Sequence, residues 1–149
     1  MSKVIRTKSL EETHRLAEQF YSWLTSLPTP MGKARVLALR GDLGAGKTAF
    51  TQGLAKAMGV RENITSPTFV LMKKYAGHNG NNLVHFDAYR LTDAKDLAPL
   101  RFGEYADDSN NVVVVEWPEM ISGALSENVH VIDFKFIDEN EREITLPYE

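Results

Sequence analysis

The chain has no cysteine, which excludes disulfide bonds and thiolate metal sites and permits a reducing compartment. It also lacks an excess of basic residues, because 17 lysines and arginines stand against 20 acidic side chains and the formal net charge is −3. A protein that binds nucleic acid by itself normally has a surface patch rich in lysine and arginine. The charge balance therefore argues against direct binding of nucleic acid.

Long apolar runs are missing as well. No stretch approaches the ~20 consecutive apolar residues that span a bilayer, and the N-terminal MSKVIRTKSLEETHR lacks the apolar centre of a secretory signal. The chain has 149 residues, of which 43% are hydrophobic and 25% charged, as in an ordinary globular domain. We therefore expect one cytoplasmic domain that spans residues 1–149 and has no membrane segment.

One glycine-rich stretch has a clear chemical interpretation. Residues 41–48 read GDLGAGKT and match G-x-x-x-x-G-K-[ST] at every fixed position. A short apolar run, Val36–Leu39, precedes the motif and a helical pattern from Thr48 to Met58 follows it, which is the strand–loop–helix context that the motif requires. Glycines let backbone N–H groups point at phosphate oxygens, and the helix N-terminus adds a positive end. The candidate phosphate-binding residues are Gly41, Asp42, Leu43, Gly44, Ala45, Gly46, Lys47 and Thr48.

Within this loop, Lys47 is expected to reach the β- and γ-phosphates, and the Thr48 hydroxyl is expected to take one Mg²⁺ position. P-loop enzymes usually hold Mg²⁺ or its water with an acidic residue at the end of another strand. Glu116 ends VVVVE and Asp87 ends LVHFD, so both are candidates for this Mg²⁺ partner. The alternatives are a solvated strand end for Glu116 and a structural hydrogen bond to the following loop for Asp87.

Other polar and aromatic residues allow two interpretations each. The hydroxyl-rich segment Thr65–Thr68 (TSPT) is either a γ-phosphate sensor or an ordinary turn. His85 and His78 make no metal site, and we expect His85 to be packed and His78 solvated. Trp117 is either an interaction anchor or a core residue. Because no N-K-x-D string is present, adenine is favoured over guanine.

Hydrophobic periodicity predicts the fold class. The capping-box spacing of Ser9 and Glu12 predicts a helix start, and Pro28 and Pro30 predict its end. The predicted strands are Val36–Leu39, Thr68–Tyr75, Leu83–Tyr89, Val112–Val115, Val129–Ile137 and Arg142–Leu146. The second and third would form one hairpin, and the last two another. The order predicts an α/β fold, a three-layer P-loop NTPase-like domain with a mixed central β-sheet flanked by helices.

Four short strings occur in order along the chain: GDLGAGKT at 41–48, TSPTF at 65–69, HFDAYR at 85–90 and VEWPE at 115–119. In this order and spacing they resemble the bacterial tRNA threonylcarbamoyladenosine (t6A) biosynthesis ATPases of the TsaE family, formerly called YjeE. The resemblance spans about residues 9–119. Four strings together are far more specific than the P-loop alone, and the tail beyond Glu119 adds only a compatible hairpin.

The resemblance implies a Mg²⁺-dependent ATPase that binds ATP or ADP, hydrolyses ATP weakly alone and joins the partner proteins TsaD and TsaB. It implies a role in repeated rounds of t6A modification, in which TsaD performs the threonylcarbamoyl transfer and tRNA is met only through the partners. Carried over by position, Leu43–Thr48 cradle the phosphates, while Thr48 and Glu116 hold Mg²⁺. Lys47, Glu116 and Asp87 form the catalytic set. Trp117 is important for activity or assembly.

Two other functions compete with this one. The same loop and the compact size suit a small-molecule kinase, although residues 90–101 would have to supply its lid with only two arginines. The hydroxyl-rich segment suits a binding module that senses a nucleotide without hydrolysing it.

Overall fold

The computed structural model describes residues 2–28, 31–42, 44–65, 71–91, 94–125 and 129–148. Its strands are β1 (Lys3–Thr7), β2 (Arg35–Arg40), β3 (Met72–Ala76), β4 (Asn82–Asp87), β5 (Asn111–Glu116), β6 (His130–Asp138) and β7 (Glu141–Leu146). Its α-helices are α1 (Leu10–Ser26), α2 (Lys47–Ala57) and α3 (Phe102–Ala106). Short 3₁₀ segments lie at His78–Gly80, Ala94–Leu100 and Pro118–Ala124.

Within the described ranges, the seven strands form one sheet in the order β1-β7-β6-β2-β5-β4-β3. The centre is parallel, because β2 pairs in parallel with β5 and β6, and β4 pairs in parallel with β5. Both predicted hairpins are antiparallel, β3 with β4 and β6 with β7, so the predicted mixed α/β sheet is confirmed. The sequence patterns did not predict β1, which pairs with β7 at the sheet edge.

The side chains of β5 divide the core into two halves. Val112 and Val114 belong to the half that contains α1 and α2, whereas Val113 and Val115 belong to the half that contains Phe102 of α3. This is the period-two alternation of a strand buried on both faces. The four consecutive valines therefore pack alternately into the two halves of the core, toward the helices on either side of the sheet. Helix, sheet and helix form the three predicted layers.

Helix α1 begins as the capping-box spacing predicted. The Ser9 hydroxyl accepts a hydrogen bond from the Glu12 backbone N–H at 3.1 Å, and the Glu12 carboxylate accepts one from the Lys8 N–H at 3.0 Å. The helix then packs directly on α2. A Cβ atom at Gly53 would lie 2.7 Å from the Ala17 Cβ, so this close approach requires glycine.

Two predicted strand boundaries differ from the structure by more than one residue. The strand predicted from Thr68 is β3, which begins at Met72 because Leu71 before it has a left-handed φ of 68°. Residues 66–70 of the predicted strand lie outside the described ranges. The strand predicted to reach Tyr89 ends at Asp87. No helix in the described part of the chain is both long enough and apolar enough to cross a membrane.

Candidate functional site

The predicted phosphate loop connects the central strand β2 to helix α2. Its glycines take backbone angles that favour glycine, with φ of 148° at Gly41, 79° at Gly44 and 108° at Gly46. A Cβ atom at Gly41 would lie 2.5 Å from the carbonyl oxygen of Phe134 on β6, so the loop leaves the sheet in close contact with the neighbouring strand. Asp42 and Gly44 are exposed and Ala45 is buried. Leu43 lies outside the described residues.

Lys47 is the first residue of α2 and is buried, with 4% of its surface exposed. Its ammonium donates a hydrogen bond to the Gly41 carbonyl oxygen at 2.7 Å, so the side chain folds back over the loop. Burial lowers the pKa of this ammonium below its usual value, and nearby carboxylates, Glu116 and Asp87 foremost, oppose that shift. Lys47 is thus a desolvated cation whose charge is favoured by both candidate acids.

Strand pairing brings the two acids together. In the parallel register Glu116 is the partner of Leu39 on β2 and of Asp87 on β4. Both carboxylates therefore stand at the carboxyl ends of the central strands, beside the strand that leads into the phosphate loop. Ligands of open α/β sheets bind at this edge.

Glu116 is not a solvated strand end, and that alternative is wrong. Only 4% of its surface is exposed, and its Oε2 lies 2.5 Å from Nε2 of His85, which is itself fully buried. The prediction that His85 is packed is confirmed, but its hydrogen bond to Glu116 was not predicted. The spacing of His85 and Asp87 indicates only that both side chains share one face of β4, and the contact with Glu116 depends on the pairing of β4 with β5.

Asp87 makes the loop contact that the alternative interpretation describes. Its Oδ1 accepts a hydrogen bond from the Tyr89 backbone N–H at 2.9 Å, the pattern of an Asx turn. The carboxylate is 3% exposed. Asp87 therefore fixes the turn after β4 in addition to lying beside Glu116.

Trp117 follows Glu116 in a left-handed conformation, with φ of 58°. This region is unusual for a bulky residue and costs of order 1–3 kcal/mol, and such strain concentrates at functional sites. The Lys47 Nζ lies over the indole ring, 4.1 Å from the ring centroid. The centroid of the Tyr89 ring lies 5.0 Å from that of the indole. Trp117 is half-buried and forms one wall of the site.

A cavity of about 360 Å³ opens next to the loop. It lies where the start of α1, the first turn of α2 and the β6–β7 turn meet, and Gly46 and Ala49 form its boundary with the phosphate loop. Thr13 and Arg142 also line it, and Arg142 Nε donates a hydrogen bond to the Gly44 carbonyl oxygen at 2.9 Å. The sequence alone does not fix this cavity, because its walls come from segments that lie far apart in the chain.

The oxygen atoms near Lys47 suit a hard cation. Thr48, in the first turn of α2, has a hydroxyl group, and Glu116 and Asp87 have carboxylates, the ligand types that Mg²⁺ prefers. Among the described residues no group of three or more His, Cys, Asp or Glu side chains is placed to hold a metal ion. Mg²⁺ commonly uses only one or two protein carboxylates together with phosphates and water, so this donor set fits it.

Two remaining predictions concern the hydroxyl-rich segment and His78. Thr65 is exposed, and Ser66, Pro67 and Thr68 lie outside the described residues. His78 is exposed, as predicted.

Comparison with known proteins gives one consistent family. The family model described as threonylcarbamoyl adenosine biosynthesis protein TsaE matches residues 7–144. The tRNA threonylcarbamoyladenosine biosynthesis protein TsaE of Treponema pallidum is 36% identical over 132 residues, which cover 89% of this chain and 96% of that protein. The protein of the same name from Bacillus subtilis is 38% identical over 141 residues, 95% of this chain and 82% of the relative. The crystal structure of YdiB from Bacillus subtilis superposes with a TM-score of 0.73 at 31% identity, covering 98% of this chain and 84% of that one.

Proposed function

The chain belongs to the TsaE family, and from this premise we propose that it binds ATP or ADP with Mg²⁺ and hydrolyses ATP in tRNA threonylcarbamoyladenosine biosynthesis. The observation that carries the proposal is the phosphate loop whose buried Lys47 begins α2, at the edge of the sheet where the two carboxylates end β4 and β5. A cytoplasmic place of action is part of this proposal. The single-domain organisation stays a prediction, supported by one sheet that contains every described strand.

Each residue of the site has a proposed task. The backbone N–H groups of the loop 41–48 and the Lys47 ammonium bind the β- and γ-phosphates. The Thr48 hydroxyl and the Glu116 carboxylate hold Mg²⁺, which supplies neutralisation of phosphate charge when bound. Asp87 holds the turn that keeps Tyr89 against Trp117 and adds negative charge beside Lys47.

The nucleoside is proposed to occupy the cavity beside Gly46. It adjoins the loop through Gly46 and Ala49, and a volume of about 360 Å³ lies within the range of small-molecule sites. Arg142 connects this cavity to the phosphate loop through its hydrogen bond to Gly44. A nucleotide bound in this way would contact the loop and the β6–β7 turn together.

The protein is proposed to act with TsaD and TsaB, which reach the tRNA, while TsaD performs the threonylcarbamoyl transfer. The formal charge of −3 supports an indirect contact with tRNA, since the chain has no surplus of cations for the phosphate backbone. Phosphoryl transfer on a P-loop depends mostly on positioning and charge stabilisation, and a partner often completes such a site. We therefore expect slow hydrolysis by the chain alone.

The test is Mg²⁺-dependent ATP hydrolysis by the purified protein, alone and with TsaD and TsaB. We expect stimulation by the partners, and a loss of ~100-fold or more in the stimulated rate for Lys47→Ala and for Glu116→Ala, since each removes charge from the reacting centre. Lys56→Ala is the matched control, because Lys56 lies exposed in the last turn of the same helix. An unchanged stimulated rate in both site variants would exclude the site assignment. Transfer of phosphate to a metabolite in place of water would identify a kinase.

A further inference from the structure

The buried pair His85 and Glu116 has a defined position in the sheet. His85 is the register partner of Val114, and Asp87 is the partner of Glu116. Residues two apart on a strand share a face, so His85, Asp87 and Glu116 lie on the same face as Val114, which packs in the half of the core that contains α2. The imidazole therefore contacts Glu116 inside the core, on the face of the sheet that packs against α2.

The tautomer of His85 follows from its surroundings. Nε2 lies 2.5 Å from the Glu116 Oε2, and Nδ1 is buried with no hydrogen-bond partner within the described part of the chain. A carboxylate oxygen accepts hydrogen bonds, so the ring nitrogen that lies against it is the one that donates. The arrangement of lower free energy places the proton on Nε2, which then donates to the carboxylate.

This hydrogen bond has a consequence for the geometry of Glu116. A carboxylate attached by one oxygen to a fixed, fully buried ring cannot rotate freely about its last torsion. The Oε2 atom is committed to His85, and Oε1 is the atom left to turn toward a ligand. Carboxylates that bind metals are commonly held in this way by a second hydrogen bond, and loss of that support typically costs 10–100-fold in metal affinity or activity.

We propose that His85 is a positioning residue: its Nε2–H holds Glu116 in the orientation in which Oε1 meets the Mg²⁺–nucleotide. The inference rests on the proposed metal-binding function of Glu116. It assigns a function to a buried histidine whose ring contacts the Glu116 carboxylate.

The test separates the hydrogen bond from the volume of the side chain. His85→Gln keeps a donor, because the amide nitrogen of glutamine corresponds to Nε2. His85→Leu fills the space without a donor. The measurements are the affinity for ADP by calorimetry in excess Mg²⁺ and in EDTA, and the free energy of unfolding of each variant. We expect His85→Leu to lower the Mg²⁺-dependent gain in affinity ~10-fold or more, to leave the affinity in EDTA unchanged, and His85→Gln to restore most of the gain.

Glu116→Gln distinguishes the two possible failures. If Glu116→Gln lowers the Mg²⁺-dependent gain but His85→Leu does not, the positioning inference is wrong and the proposed function of Glu116 survives. If Glu116→Gln leaves the gain intact, both are wrong. Equal losses of stability in His85→Leu and His85→Gln, with Mg²⁺ dependence unchanged in both, would show a purely structural pair.

A second measurement covers the case in which His85→Leu does not fold. His85→Asn is then compared with His85→Gln. The amide nitrogen of asparagine corresponds to Nδ1, and the asparagine side chain is too short to reach Glu116. We expect asparagine to lose the Mg²⁺-dependent gain and glutamine to keep it. The ¹⁵N chemical shifts of the His85 ring in the unmodified protein should show a protonated Nε2 and an unprotonated Nδ1. The opposite tautomer would overturn the proposal.

Discussion

The Lys47 ammonium lies 4.1 Å from the centroid of the Trp117 ring while it donates a hydrogen bond to the Gly41 carbonyl oxygen. A cation over an indole face is attracted by the ring quadrupole, by ~0.5–2 kcal/mol depending on desolvation. This contact and the hydrogen bond hold the ammonium inside the loop. To meet the β- and γ-phosphates, Lys47 has to leave this arrangement at least in part.

Trp117 should therefore report nucleotide binding through its fluorescence. The chain has two tryptophans, and the other, Trp23, lies on α1 against Phe20 and Tyr148. In Trp23→Phe we expect a saturable change in emission when Mg²⁺–ADP is added, because the cation above the indole moves. The matched variant Trp117→Phe retains only Trp23 and should show no saturable change. The reverse pattern would place the nucleotide away from Trp117.

The proposed position of the nucleoside, in the cavity beside Gly46, can be tested separately. Ala49 lines the cavity from the first turn of α2, so Ala49→Leu should fill part of the space while the helix is maintained. We expect this variant to lose affinity for ATP and ADP and to retain affinity for inorganic triphosphate, which needs only the loop. Ala49→Ser adds a single oxygen and is the control, with ATP affinity close to that of the unmodified protein. Equal losses for ATP and triphosphate would mean that the substitution damages the loop itself.

Much of this site could be predicted because its residues are adjacent in sequence. The loop 41–48 contains its functional groups in eight consecutive residues. Glu116 follows four valines, which predict a buried strand that ends at this residue. The hydrogen bond between His85 and Glu116 could not be predicted in the same way, because it depends on β4 lying beside β5 in a particular register. A lone histidine in an apolar strand is compatible with simple packing, and only the neighbouring strand shows otherwise.

The fold shows the same division between local and distant information. The buried strand β5 and the capped helix α1 have strong local patterns, and both were predicted. Strand β1 was not, because an edge strand has only one neighbour and its burial hardly alternates: of Lys3–Thr7 only Thr7 is buried. Its partner β7 lies at the opposite end of the chain, so nothing local indicates the pairing. The cavity walls likewise come from segments far apart in the chain, which explains why local patterns do not locate the cavity.

Tyr148 predicts a pH dependence of stability. Burial of the phenol raises its pKa above the ordinary value of about 10, since the phenolate is poorly solvated beside Phe20 and Trp23. The unfolded chain then loses this proton at lower pH than the folded chain. The contribution of Tyr148 is thus fully present below pH ~10 and declines as the pH rises toward the folded-state pKa.

Tyr148→Phe should lack this decline. We expect the difference in free energy of unfolding between the variant and the unmodified protein to be constant from pH 7 to 9 and to shift in favour of the variant from pH 9 to 11, as measured by urea unfolding. The pH 7 value serves as the baseline, since it contains the packing difference alone. Parallel stability curves up to pH 11 would contradict the raised pKa.

Gly53 lies at the close contact between α1 and α2, which holds α2 in place. A Cβ atom there would lie 2.7 Å from both the Ala17 Cβ and the His14 carbonyl oxygen on α1. Gly53→Ala therefore forces the two helices apart, and we expect a loss of ~1–3 kcal/mol in the free energy of unfolding. Because α2 begins at Lys47, the same displacement should weaken nucleotide binding. Gly103→Ala is the control: a Cβ at this exposed helical position meets nothing within 4 Å, and replacing helical glycine by alanine should leave stability unchanged or raise it by up to about 1 kcal/mol. A Gly53→Ala protein as stable as the Gly103→Ala protein would show that α1 and α2 are not in close contact at this point.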